Sequence, residues 1–314
     1  MEHNYCVIVS RVSLYRALIL YDSLTEHDRC FRMFLICLQD DVFALLNTMM
    51  LKNVTLINIR SIEDEDIKFA ACKYNRNEKE YAWTSKAPII LYLFKHFWDF
   101  DNILYIDSDI KFLSSPDPIY NEFLGYSILL SKEIFLIDNP DIWYSQYGLY
   151  NGGFMGFKRD SKAIEALLYF RKLCINWCYN RAENGLYGDQ RYLSDWTTRF
   201  ADVGVIQNIG INVTAWYSHC SLIDDSCNKI TINGTPIVFY HYSGLVSFNK
   251  NEFDLCNYIK LPEDLINKIY LPYLRNIQQK INYVNHFNPN FYSNLSQGIN
   301  TNYIVNYFYF PDSI

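Results

Sequence analysis

The chain predicts an α/β fold: a mixed, mostly parallel sheet flanked by helices. Three observations carry that expectation. Short apolar runs alternate with helix-period patterns through the first half of the 314 residues. The runs are continuous rather than alternating, as in strands buried on both faces. Half of the residues are hydrophobic and 20% are charged, which is ample for a sizeable core.

"YCVIVS" reads as the first buried strand, and "LYRALILYDSL" as a helix with Leu14, Leu18 and Tyr21 on one face. "FRMFLICL" is a second strand. "DDVFALLNTMML" is a helix with Asp40 or Asp41 as its N-cap. "VTLINI" is a third strand. After a polar stretch comes "SKAPIILYLFKHFWD", an apolar helix started by Pro88, and then "NILYI", a fourth strand. The second half is less regular. "YSILLS" reads as a strand and "SKAIEALLYFRKLCINWCYN" as a helix. "ITING" turns a hairpin into "PIVFYHYS". "PEDLINKIYLPYLRNIQQKINYV" is a helix bent or interrupted at Pro272. The expected organisation is one domain over residues 1–260. Residues 261–314 form an extension rich in Asn, Tyr and Phe, packing on that domain or on a partner subunit, so a homo-oligomer is allowed for.

A net charge of −6 gains little from a polyanion, so nucleic acid is not an expected partner. No window approaches the roughly 20 apolar residues of a membrane span. The aromatic tail leaves room for peripheral membrane contact, although Lys268, Arg275 and Lys280 are spread rather than clustered. Nine cysteines include no C-x-x-C pair, and Cys174 and Cys178 read as small apolar residues on one helix face. That odd, unpatterned count suggests a reducing compartment. "MEHNYCVIVSRVSLYRALIL" does not read as a signal peptide, so the expected location is the cytoplasm. The N-x-S/T sequons at Asn53, Asn212, Asn233 and Asn294 read as chance matches in an Asn-rich chain.

The most informative stretch follows the fourth strand. Four apolar residues, Ile103 to Ile106, run into Asp107-Ser108-Asp109. In an extended chain Asp107 and Asp109 point the same way and Ser108 points away. Just past a strand they lie at the carboxyl edge of the sheet, where open α/β sheets bind ligands. Two close carboxylates repel, and the pair persists most easily around a hard divalent cation. The alternative is a turn whose aspartates accept from backbone amides.

"NILYIDSDIKFLSSPDPIY" resembles the D-x-D region of the nucleotide-sugar glycosyltransferases of GT-A fold, family eight especially. "YNGGFMGFKRD", "YGDQRYLSDW" and "VFYHYSG" resemble further segments of that family, in the same order. The resemblance implies transfer of a sugar from a nucleotide-diphosphate donor, usually a UDP-sugar, with retention of anomeric configuration. The acceptor would be a glycan, a lipid-linked sugar or a protein. It implies Asp107, Asp109 and His241 as ligands of Mn²⁺ or Mg²⁺, and that donor set suits either ion. It puts Val9, Ser10 and Tyr15 at the nucleoside, with Tyr15 stacking on the base. Lys86, Ser108, Gly152, Gly153 and Gly244 would be further donor contacts. Asn151, Asp189 and Gln190 would lie near the anomeric centre.

One departure stands out. The Lys-Pro-Trp that often follows H-x-x-G is missing: the chain reads "HYSGLVSFNKNEF", with Lys250 as the nearby cation. Each residue also has a plainer alternative. Lys86 could be a solvated surface lysine, and Asn151-Gly152-Gly153 a turn or bulge. Asp189 could be a helix N-cap, His241 a hydrogen-bonded core histidine, and Val9–Ala17 a simple strand-to-helix turn. Trp143, Tyr144, Tyr147 and Tyr150 either line the acceptor cleft or serve as loop and core aromatics. Two other functions compete. A sugar nucleotidylyltransferase needs a glycine-rich basic loop after the first strand, and "VSRVSLYRA" has no glycine. A non-catalytic sugar-binding module fits less well with intact Asp107, Asp109 and His241.

Overall fold

The structure, a computed structural model, describes residues 2–225, 229–289, 291–292 and 304–311. The chain forms two compact units of interleaved segments. The first comprises Met1–Val9, Cys30–Asp107 and Asp117–Gln207; the second comprises Ser10–Arg29, Ser108–Pro116 and Asn208–Ile314.

The first unit is built on a seven-stranded sheet: β1 (His3–Val9), β2 (Phe31–Cys37), β3 (Val54–Asn58), β4 (Asn102–Ile106), β5 (Ile128–Lys132), β6 (Tyr150–Lys158) and β7 (Val203–Val205), in spatial order β3-β2-β1-β4-β6-β5-β7. β1 pairs in parallel with β2 and β4, β2 with β3, and β5 with β7; β6 alone runs against its neighbours β4 and β5. The continuous apolar runs of β1, β2 and β4 are almost wholly buried, as their sequence predicts. β3, at one edge, is half-buried. Helices Glu78–His96 and Ser161–Asn176 pack on one another and on the sheet through Ile89, Leu93, Phe94, Ala166, Leu167 and Phe170.

The first of those helices corrects an expectation. It begins at Glu78, and Pro88 sits in its interior. A capping box fixes the true start: Asn77 Oδ1 accepts from the Glu80 amide, and the Asn77 amide donates to Glu80 Oε2, each at 2.9 Å. Pro88 removes one ladder hydrogen bond, but its neighbours Ile89, Ile90 and Leu93 are fully buried, and that burial outweighs the loss. Two smaller differences concern helix ends. Gln39 is the N-cap of helix Asp40–Met49, with Asp40 and Asp41 in the first turn, where acids suit the helix dipole. Helix Ser161–Asn176 is capped by Asp160 and stops before Cys178, although Cys174 and Cys178 are both buried.

The second unit has short strands and two long helices. Ile110–Phe112 pairs antiparallel with Phe239–His241, so that Ile110 faces His241. Helix Leu14–His27 packs against helix Leu271–Phe287. The latter is preceded by a π-helical turn, Ile266–Tyr270, and Pro272 occupies its first turn, where proline costs no hydrogen bond. The interruption thus falls just ahead of the proline. Asn233-Gly234 turns the hairpin between Thr231–Ile232 and Thr235–Pro236 with φ of +49° and +81°, as a two-residue hairpin requires. From the tail, Tyr307–Tyr309 adds a strand to Glu252–Asp254. Asn306 ties it down by donating to the Cys256 and Ile259 carbonyls at 2.6 Å. Asn294 and much of the aromatic tail lie outside the described residues. Among the described residues no helix is long and apolar enough to cross a membrane.

Candidate active site

The reversed strand explains one corner of the site. β4 ends at Ile106, and because β6 runs the other way it starts at that same edge. The Asp107 amide donates to the Gly153 carbonyl at 2.9 Å, so Asn151, Gly152 and Gly153 stand beside Asp107. The two glycines thus lie near the start of a central strand, opposite the point where its pairing with β5 shifts register between Leu130 and Lys132, so they belong to a strand with a bulge-like irregularity and not to a free turn. Gly152 is tightly placed: a Cβ there would sit 3.3 Å from Asp189 Oδ2 and from the Gln190 Cβ, so those neighbours would have to give by a few tenths of an ångström.

Lys86 is 1% exposed, which removes the surface-lysine alternative. Its ammonium lies 2.7 Å from Asp189 Oδ2 and 3.8 Å from Asp107 Oδ1, and it donates to the Gly152 carbonyl at 2.8 Å. Tyr105, on the same face of β4 as Asp107, donates its hydroxyl to Asp107 Oδ1 at 2.6 Å. Burial pushes Lys86 towards losing its proton, but the facing Asp107 and Asp189 outweigh it and raise its pKa. Burial also raises Asp189, with Asp107 adding to it and Lys86 opposing. At 2.7 Å and almost no exposure the two stand as a buried ion pair. Asp189 occupies the N-cap position of a 3₁₀ turn, Gln190–Asp195, yet its side chain caps nothing there; it serves Lys86.

Next to this pair lies a closed polar network that the sequence did not reveal. Glu133, just past β5 and 3% exposed, accepts from Asn151 Nδ2 at 2.5 Å and from Gln190 Nε2 at 3.4 Å. The amide oxygens turn the other way: Asn151 Oδ1 accepts from the Gly153 amide and Gln190 Oε1 from the Gly152 amide, at 2.8 and 2.9 Å. A carboxylate can only accept, so both amides are locked in one orientation. Gln190 Nε2 also donates to the Tyr147 carbonyl, and Tyr144 to the Glu133 carbonyl, which ties in helix Pro140–Tyr147. Trp143 and Tyr147 on that helix are half-buried, with rings 5.4 Å apart. Tyr150 is buried in the core.

The second unit holds a cluster of its own. The pairing of Ile110 with His241, reinforced by the Tyr242 amide donating to the Asp109 carbonyl at 2.9 Å, carries Asp109 to His241. Asp109 Oδ1 lies 3.2 Å from His241 Nε2. His241 Nδ1 faces Asn212 Oδ1 at 3.1 Å, and the Ser243 hydroxyl meets Nε2 at 2.8 Å. Nδ1 faces an amide oxygen and Nε2 faces the Asp109 carboxylate, so the protonated imidazole donates to both, while the neutral one, with its proton on Nδ1, frees Nε2 as a ligand. Arg16 places Nη1 3.7 Å from Asp109 Oδ2. Burial would raise the Asp109 pKa, but His241 and Arg16 together draw it down to about 2. Gly244 has φ +83°, and a Cβ there would collide with the Tyr258 ring at 2.6 Å. Asn212, half of a sequon, is buried and has φ +58°.

The residues expected at the nucleoside are covered in this structure. Val9 is fully buried at the end of β1. The Ser10 amide donates to Ser13 Oγ at 2.9 Å. Tyr15 is 1% exposed; its hydroxyl meets Ser247 Oγ at 2.8 Å, and its ring meets Tyr292 edge-on at 5.7 Å between centroids. Ser108 is half-buried. Sequence reasoning passed over Tyr105, Glu133, Asn212, Ser243 and Arg16. Tyr105 and Glu133 left a faint signal: a hydroxyl two residues before Asp107, and an acid closing the apolar run of β5.

Comparison with known proteins agrees with the architecture. No family model matches the chain. It is 29% identical over 293 residues to the uncharacterized protein YfnD of Bacillus subtilis (strain 168), covering 92% of this chain and 93% of YfnD. Its fold matches that of the galactosyltransferase LgtC, solved with donor and acceptor sugar analogues, with a TM-score of 0.54 and 15% identity over 77% of this chain and 87% of LgtC. Mouse xyloside xylosyltransferase 1 matches with a TM-score of 0.50 and 12% identity, over 77% of this chain and 98% of that one. The mixed, mostly parallel sheet flanked by helices is thus the GT-A fold of those glycosyltransferases.

Proposed function

We propose that the chain is a metal-dependent glycosyltransferase of the family-eight kind. It moves a hexosyl or N-acetylhexosaminyl group from a nucleoside-diphosphate donor, with uridine as the base, to a glycan, lipid-linked sugar or protein acceptor, with retention. The observation that carries the reading is the meeting of Asp109 and His241 at 3.2 Å, two residues along from Asp107, in a fold shared with sugar transferases.

Asp107, Asp109 and His241 each offer one ligand atom to a metal. They fit a divalent cation: ligands at right angles on one Mn²⁺ or Mg²⁺ lie about 3 Å apart, the separation of Asp109 Oδ1 from His241 Nε2. Asn212 would fix the histidine's tautomer, as outer-shell partners of metal ligands do. Bound there, the ion would act as a Lewis acid on the leaving diphosphate.

The protein's own groups do the rest. In this reading Lys86 and Asp189 hold the donor sugar's hydroxyls from a dry, preset corner, with Gly152 and Gly153 allowing the sugar to approach the backbone. Asn151 and Gln190, aligned by Glu133, lie beside the anomeric carbon. Base stacking on Tyr15 would require Tyr292 to uncover its ring, with Val9 and Ser10 framing the ribose and Gly244 the phosphates.

The test is a panel of nucleotide sugars with Mn²⁺, scoring hydrolysis or transfer for each, alongside Asp109→Ala and His241→Ala. Turnover with one donor, abolished by chelation and lost by roughly 10²–10³-fold or more in either variant at unchanged fold, is expected. Full activity in either variant, or turnover indifferent to metal, rejects the reading.

A further inference from the structure

Building on that donor reading, we propose that Arg16 is the cation that grips the donor's diphosphate. A transferred sugar leaves behind a multiply charged diphosphate, and a metal ion offsets only part of that charge. The segment after His241 offers little help: it has no basic residue before Lys250, and Lys250 is exposed.

Arg16 comes from elsewhere in the same unit. It is the third residue of helix Leu14–His27, and its side chain is 17% exposed. Nε donates to the Tyr15 hydroxyl at 3.1 Å, and Nη2 donates to the Leu245 carbonyl at 2.7 Å, one residue past Gly244. The guanidinium is thereby fixed in plane against the H-x-x-G segment. Nη1 points to Asp109 but stays 3.7 Å away, beyond hydrogen-bond reach, so among the described residues its two N–H groups are unspent. An arginine whose purpose was to pair with Asp109 would close to about 2.8 Å and take the carboxylate with two parallel bonds. Instead, a pinned fork presents open donors beside a carboxylate assigned to a cation. Metal and guanidinium would repel each other there unless an anion lay between them, and a diphosphate is such an anion. Planar N–H pairs match phosphate oxygens.

The experiment is calorimetry on the intact protein with UDP and with UMP, each in Mn²⁺, for wild type, Arg16→Gln and Arg16→Lys, with thermal midpoints recorded. Wild type should prefer UDP. Arg16→Gln should weaken UDP by roughly 10–100-fold, the worth of a charged hydrogen-bond pair, while UMP changes little. Arg16→Lys should restore part of the preference, because charge survives and the fork does not; it also carries the test if Arg16→Gln does not fold. A purely structural tie to Leu245 would lower the midpoint and leave the UDP-to-UMP ratio as in wild type, which overturns the proposal. If wild type binds neither nucleotide with Mn²⁺, the donor reading itself falls, and this one with it.

Discussion

The polar clusters of the two units are built on opposite principles. In the first unit Lys86, Asp189, Asn151 and Glu133 are each 3% exposed or less, with Lys86 paired to Asp189 and Asn151 to Glu133. In the second unit Asp109 and Arg16 keep 19% and 17% of their side chains in contact with solvent and stand 3.7 Å apart. A closed network is oriented before any ligand arrives, and its charges are costly to disturb. A partly solvated cluster of unlike charges costs less to rearrange.

The sharpest way to break this contrast is Lys86→Met. It leaves Asp189 and Asp107 facing each other without a cation in a dry pocket, and should cost about 3–5 kcal/mol of stability. Urea denaturation measures it, and Lys86→Met with Asp189→Leu should recover most of the loss; equal stability of wild type and the single variant would show that the pair is not ionised. In the second unit, Asn212→Ala should cost about 1–2 kcal/mol of stability, since alanine is strained at φ +58°, and weaken Mn²⁺ binding by roughly 10–100-fold, because His241 loses its orienting partner. Unaltered affinity would mean that His241 needs no such support. Glu133→Gln tests the amide lock: a side chain that can also donate lets Asn151 and Gln190 flip, so kcat should fall roughly 10-fold while KM for the donor moves little. A change in KM alone would argue for uniform binding instead. The smallest effect lies away from the site. Burial would raise Asp66, but hydrogen bonds from Arg171 and the Phe69 amide leave its pKa below the ordinary carboxylate value. A depressed folded-state pKa adds stability that is present above the unfolded value and fades as pH falls through the folded one. Asp66→Asn should therefore flatten the acid limb of a stability-versus-pH curve; an unchanged limb would exclude that contribution.

The legible part of the sequence was the part governed by local pattern. β1, β2 and β4 were visible as apolar runs, and the acid couple as an abrupt end to one of them. The burial of Lys86 was not, because the carboxylate that justifies it, Asp189, lies far along the chain and only the fold joins them. Pro88 drew attention from Asn77-Glu78-Lys79-Glu80, whose capping box was the true start signal. β6 was hidden by Gly152 and Gly153, which read locally as a turn and become a strand only when β4 and β5 flank them. In the second half, strands of two or three residues carry too little pattern to be read, and pairings such as Ile110 with His241 are set by tertiary context.

The reversal of β6 has a consequence for how such a scaffold can diversify. The peptide joining β5 to β6, residues 133–149, leaves and re-enters the sheet on the same rim, as a hairpin connection does. Insertions or deletions between residues 134 and 148 would shift no strand pairing, and lengthening a surface connection costs little entropy. Edits confined to residues 136–139 would spare the hydrogen bonds by which Tyr144 and Tyr147 tie this span to Glu133 and Gln190, so that stretch is where descendants of this chain could vary most freely.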